Sequence, residues 1–157
     1  MRIPCPCWLL HLCLLLMLGG CAAEEPALRV SSWVEPPGSP PPISRIAALP
    51  EAGWASHRGA GNRGYTDRPV WFRVEVRPPA PADWVVEFAN PVLDHLDVYL
   101  PGAGRDEWVT LHLGDKFPFA QRPIASRNFA VPLPAAGDRP LTLYVRVRSS
   151  SSVQLPA

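Results

Sequence analysis

From residue 70 onward, apolar and polar residues alternate with a period of two. Val70, Phe72, Val74 and Val76 fall on one side of an extended chain, and Trp71, Arg73, Glu75 and Arg77 on the other. Leu141, Leu143, Val145 and Val147 alternate in the same way with Thr142, Tyr144, Arg146 and Arg148. This is the signature of strands that bury one face. Segments 84–88, 94–100, 107–113 and 128–133 are of similar length, and Pro-Pro-Ala-Pro at 78–81, Pro-Gly-Ala-Gly at 101–104 and Ala-Gly-Asp at 136–138 separate them. Residues 27–34 give one more strand. Residues 43–49 read as a short extended or one-turn piece and 53–65 as a loop. Nothing after residue 23 keeps a helical period for three turns. The pattern therefore predicts an all-β protein, an antiparallel sandwich or jelly roll, because a parallel sheet would need crossover helices.

The first 23 residues follow different rules. Arg2 provides a short positive start, residues 8–18 a mostly apolar run, and Gly19-Gly20-Cys21-Ala22-Ala23 small residues for cleavage. The run is shorter than the roughly 20 residues that cross a bilayer, so 1–23 is expected to be a signal peptide. Residues 18–21, Leu-Gly-Gly-Cys, resemble a bacterial lipoprotein box in which Cys21 would be acylated, and cleavage after Ala22 or Ala23 fits the small residues equally. All four cysteines lie in this leader. The exported part has no disulfide available and must hold by its core. Residues 24–42 read as a proline-rich lead-in containing the first strand, and 43–157 as one sandwich domain. An apolar residue has only just returned after Ser149-Ser150-Ser151-Ser152 when the sequence stops, which suggests a sandwich short of its final strand.

A net charge of +1 without a basic cluster offers no footprint for nucleic acid. Gly59-Ala60-Gly61-Asn62-Arg63-Gly64 spells a dinucleotide fingerprint, but a strand follows the glycines where that motif requires a helix, so it reads as a flexible loop. No nucleophile-elbow spacing or placeable carboxylate pair is present, and no catalysis and no cofactor are expected. His95 and Asp97 share a strand face without a third ligand, so no metal site is assigned.

From Tyr65 to Leu155 the chain resembles the second type of extracellular sensor domain of bacterial seven-transmembrane receptors with diverse intracellular signalling modules. The resemblance rests on Pro69-Val70-Trp71-Phe72-Arg73-Val74, on the stretch 88–101 containing Asn90, Pro91, Asp94, His95 and Asp97, on 114–129 beginning Gly-Asp-Lys-Phe-Pro-Phe, and on Leu143-Tyr144-Val145-Arg146-Val147-Arg148-Ser149-Ser150. It implies a periplasmic jelly-roll similar to carbohydrate-binding modules, normally followed by seven membrane helices and a cytoplasmic diguanylate cyclase or histidine kinase. Those parts are not in these residues. Membrane association would then come from such helices or from a lipidated Cys21.

Asn90 and Pro91 read as a structural turn at a strand end, and Asp94 as a cap or pin on the next strand start. The 114–128 loop combines Asp115, Gln121, Arg122, Arg127 and Asn128 with Phe117 and Phe119, the mixture of planar hydrogen-bonding groups and aromatic faces that a sugar-like or carboxylate ligand uses. The competing reading is an ion pair from Asp115 to Arg122 or Arg127, with both phenylalanines plugging the core. Trp71, with Trp84 and Trp108, is either a stacking platform or sheet packing. Two functions follow: a non-catalytic sensor for a small carbohydrate or carboxylate-bearing molecule, or an envelope protein-interaction module using a sandwich edge or face.

Overall fold

The two clearest alternating segments become the neighbouring central strands of a six-stranded sheet. The computed structural model describes residues 27–77, 83–104, 106–135 and 139–156; the leader and Cys21 lie outside them. In chain order the elements are β1 (Ala27–Val34), α1 (Ile43–Ala47), β2 (Ala55–His57), β3 (Gly61–Gly64), β4 (Val70–Arg77), β5 (Val85–Phe88), β6 (His95–Pro101), β7 (Trp108–Leu113), β8 (Phe129–Pro132), β9 (Leu141–Arg148) and β10 (Val153–Leu155), with single 3-10 turns at Glu51–Gly53 and Phe119–Gln121. The large sheet runs β2-β1-β4-β9-β6-β7, and every pairing in it is antiparallel.

A second layer faces it, built from the ribbons β3–β10 and β5–β8. The Ala89 N–H donates to the Pro156 carbonyl at 3.0 Å, and the Asn90 side-chain amide donates to the Gln154 carbonyl at 3.0 Å, which ties the two ribbons side by side. Between the layers lies a core of Val, Leu and Phe. Phe72, Val74, Leu96, Val98, Leu143 and Val145 supply it from the large sheet, and Phe88, Phe129, Val131, Val153 and Leu155 from the ribbons. β-Branched residues suit this pleated, half-covered surface.

The outer face of the large sheet is not left to water. Register places Trp33, Trp71, Arg146, Asp97 and His112 in one row across it, and Ser31, Arg73, Tyr144, Tyr99 and Thr110 in the next. Residues 42–54 lie over part of this face, where Ile46 and Trp54 pack with Trp71 and Tyr144 into a second buried cluster. A five-residue helix has little intrinsic stability. α1 persists because Ile46 is buried and because its first turn bonds back to the Pro42 carbonyl.

Two expectations are corrected. Residues 53–65 contain β2 and β3 rather than a loop, and the glycine fingerprint is partly strand. Gly61 is buried with the Phe72 ring where a Cβ would stand, so β3 crosses the core at a place that admits no side chain. Short strands rich in glycine carry no alternation to read.

Candidate functional site

At one end of the sandwich, four connections approach one another. They are 65–69 before β4, 89–94 before β6, 114–128 after β7 and 149–152 after β9. Three of these are pinned around Asp94. Gly114 has φ of 137°, and a Cβ there would run into the Asp94 carbonyl. Its absence lets the Asp115 N–H reach the Leu93 carbonyl at 2.8 Å and the Lys116 N–H reach the Asp94 carbonyl at 3.3 Å. Lys116 is thereby set with its ammonium 3.5 Å from the Asp94 carboxylate.

The Asp94 carboxylate accepts from the Ser150 N–H at 2.6 Å, the Ser150 hydroxyl at 2.8 Å and the Ser149 hydroxyl at 3.4 Å. The Ser150 backbone and hydroxyl bonds, helped by Lys116, hold its pKa down at about 2. Asp94 therefore remains ionised through the ordinary pH range and fixes the serine run. It pins a loop remote in sequence, not the start of its own strand as the sequence suggested.

An open cleft of about 780 Å³ lies over this assembly, lined by Tyr65, Thr66, Asp67, Arg68, Asp94, His95, Lys116, Arg148, Ser149 and Ser150. Arg148 and His95 are register partners on β9 and β6, which sets both on the outer face at the cleft. The edge of the Phe117 ring system meets His95, with centroids 5.5 Å apart. Thr66 accepts from the Arg68 N–H at 3.1 Å and donates to the Arg68 carbonyl at 3.3 Å, which fixes the backbone that carries Arg68. Tyr65 stands at the rim 82% exposed.

The residues singled out from sequence are distributed otherwise. Asp115, Gln121 and Arg127 are exposed on the 114–128 loop and do not line the cleft. Arg122 is half-buried, donates to the Ser126 and Arg127 carbonyls at 2.6 and 2.7 Å, and lies between the rings of Phe119 and Phe129 at 4.9 and 4.6 Å. Its fork closes the loop on itself, in place of the expected ion pair with Asp115. The Asn128 amide donates to Glu87 on the neighbouring strand. Phe117 is half-buried and Phe119 is 56% exposed, so neither plugs the core.

Trp71 is fully buried, its indole N–H donating to Glu35 at 2.8 Å, and it offers no face to a ligand. Trp108 packs edge-on to Tyr144 and Trp84 belongs beside the opposite layer, so the three tryptophans form no shared platform. Asn90 bridges to β10 rather than bonding its own turn, and Pro91 follows it half-buried. Asp97 turns from His95 toward His112 at 2.7 Å, and among the described residues no group of three His, Cys, Asp or Glu gathers.

Tyr65, Arg68, Arg148, Ser149 and Ser150 were missed by sequence reasoning. Alternation alone puts Arg148 on the polar side of its strand. Its place opposite His95 needs the β9–β6 pairing, which no local pattern reveals.

The family model described as 7TMR-DISM extracellular 2 matches residues 30–157, which takes in every element from within β1 to β10. No curated protein matches the chain significantly. Among the described residues, no helix is long and apolar enough to cross a membrane.

Proposed function

The chain belongs to the 7TMR-DISM extracellular 2 family, sensor domains of membrane receptors, and we propose that it is the ligand-binding input domain of a bacterial membrane signalling protein. Its ligand is a small carbohydrate or a carboxylate-bearing molecule. We read the domain as non-catalytic, in keeping with a sensor family and with an Asp94 that holds Ser149, Ser150 and Lys116 as a loop pin. A jelly-roll relationship to carbohydrate-binding modules, an exported location after removal of residues 1–23, and membrane attachment through following helices or a lipid on Cys21 belong to the same proposal.

One observation carries the reading. The cleft at the end of the sandwich is open to solvent and presents cations, hydroxyls and an exposed aromatic ring around a pre-fixed floor. Its volume falls in the range of small-molecule sites, about 300–1,000 Å³, and its largely polar walls suit a hydrophilic ligand. The 114–128 loop contributes Lys116 to it, while Asp115, Gln121, Arg127 and Asn128 lie on the same loop outside it.

A thermal-shift screen against neutral sugars, sugar acids and small carboxylates tests the proposal. A ligand present at about 100 times its Kd adds about 2.7 kcal/mol to stability. The expected result is a raised midpoint with at least one compound, lost in Tyr65→Ala while that variant unfolds at the wild-type temperature without ligand. A cooperatively unfolding protein that responds to nothing in the panel would favour the protein-interaction reading, for which the edge of β7 with its exposed Val109 is one available surface.

A further inference from the structure

We propose that the cleft selects an acidic sugar, a pyranose ring that carries a carboxylate, with the ring against Tyr65 and the carboxylate between Arg68 and Arg148. This rests on the sensor reading above and adds the class of ligand.

The argument begins with how the arginines are used. Arg63 bonds Ser32, Arg73 bonds Glu51, Arg122 bonds two carbonyls and Arg146 bonds Glu35; each of these guanidinium groups is engaged by the fold. Arg68 and Arg148 make no side-chain hydrogen bond or ion pair with another described residue, yet both line one concavity together with Lys116. Converging cations in a partly enclosed cleft raise the local concentration of an anion and repel a cation. A guanidinium fork matches the two oxygens of a carboxylate.

The acidic residues of the cleft do not cancel this charge equally. Asp94 is balanced by Lys116, 3.5 Å away, which leaves Arg68 and Arg148 against Asp67 and so an excess of positive charge over the cleft. Asp67 remains, next to Arg68, and suits a sugar hydroxyl as an acceptor. The Thr66 hydroxyl donates within its own loop and that of Ser150 to Asp94, and both still have lone pairs to offer.

The ring component rests on Tyr65. A tyrosine 82% exposed at the mouth of a polar cleft leaves a flat apolar face in water. The C–H face of a pyranose covers such a ring, and its hydroxyls meet the polar walls. A compact inorganic anion would leave Tyr65 unused, and a neutral sugar would leave the two arginines unused. A ring with a carboxylate uses both.

Preorganisation sharpens the case. Thr66 fixes the backbone at Arg68, the β9–β6 pairing fixes Arg148, and the Asp94 network fixes the loop that follows it. The ligand therefore orders side chains but little backbone on arrival.

Isothermal titration of the protein with D-glucuronate and D-galacturonate, against D-glucose, D-galactose and succinate, tests the assignment. At low ionic strength a uronate should bind about tenfold or more tightly than its neutral parent, the scale of one charge-assisted pair. Arg68→Ala and Arg148→Ala should each reduce that preference, with unfolding midpoints unchanged, and salt should weaken the uronate selectively. Equal affinity for uronate and parent sugar overturns the carboxylate assignment and leaves the sensor reading standing. Succinate binding as tightly as a uronate overturns the ring assignment. No heat from any of the five overturns the inference outright, and the wider panel of the thermal screen then decides the sensor reading separately.

Discussion

The two faces of the large sheet bury their residues to different depths and by different means. Phe72 on the inner face and Trp71 beside it on the outer face are both fully buried. The inner face meets a second layer of strands, and its contacts are Val, Leu and Phe except where Ser32 is bonded by His57 and Arg63. The outer face meets a strap of 42–54, and its cluster of Trp71, Tyr144, Trp54 and Ile46 is interleaved with Glu35, Arg146 and Arg73. One face is held mainly by apolar area, with a small polar cluster of Ser32, His57 and Arg63 at its β1 side. The other must also satisfy charges that it has removed from water, and the difference should appear in how each responds to mutation and to acid.

The largest effect is expected on the inner face. Phe72→Ala removes a ring that fills the space over Gly61 and touches both layers, and neither a glycine nor a sheet can collapse into the gap. A loss of about 3–5 kcal/mol is expected in urea unfolding. A loss below about 1 kcal/mol would mean that the inner core repacks freely, and the contrast with the outer face would fail.

This contrast also explains what was legible in the sequence. Alternation of Val70, Phe72, Val74 and Val76 with Trp71, Arg73, Glu75 and Arg77 located β4 and its core face, and Leu141 to Val147 did the same for β9, because a period of two is a local property. The same alternation assigns Trp71 and Arg146 to a polar, solvated side. They are covered because Glu35 and the strap come to lie on them, contacts separated in sequence by 36 and 111 residues. The cleft was hidden for a related reason. Its members come from four connections and from the ends of β6 and β9, and only strand order brings Arg68, Arg148 and Lys116 together. The 114–128 loop looked like a site because arginine, asparagine and phenylalanine serve equally to close a loop, which Arg122 does here between Phe119 and Phe129.

An intermediate effect is expected at the charge pair of the outer face. Glu35, with its side chain 4% exposed, accepts from Arg146 at 2.7 and 2.9 Å and from the Trp71 indole at 2.8 Å. Burial pushes its pKa upward, and the bonds from Arg146 and Trp71, with the charges of Arg146 and Arg148, outweigh that and leave it below 4.5. A carboxylate depressed in the folded state contributes stability that is present in full above its unfolded pKa near 4.5 and is lost as pH falls through the lower folded value. Glu35→Gln keeps the shape and deletes the charge. It should cost about 2 kcal/mol at pH 7, less than a fully isolated pair because Asp97 stands 3.8 Å from Arg146 and takes up part of its charge. It should also flatten the fall of stability between pH 5 and 3, followed by urea midpoints. Phe72→Ala should lower the whole curve and leave its slope between pH 5 and 3 as in the wild type, its effect on the half-buried His57 falling at higher pH, below that group's ordinary 6.5. If the two variants share one acid slope, Glu35 is not the group that distinguishes the faces.

The smallest effect is expected where the strap is pinned by a charge at the surface. Arg73 makes two bonds of 2.7 Å to Glu51 and lies over the Trp54 ring, with its guanidinium 5.1 Å from the ring centroid. The geometry matches that of Glu35 with Arg146, but Glu51 is 76% exposed and water competes for both partners. Glu51→Gln should therefore leave the urea midpoint at physiological salt within error, because Ile46 and Trp54 hold the strap through apolar contact whether or not the pair forms. At low salt the wild type should gain slightly over the variant, since screening removes what little the pair supplies. A midpoint drop as large as that of Glu35→Gln would mean that the strap is held by its charges, and the outer face would be a polar clasp with aromatics in attendance rather than an aromatic cluster with its polar ends satisfied.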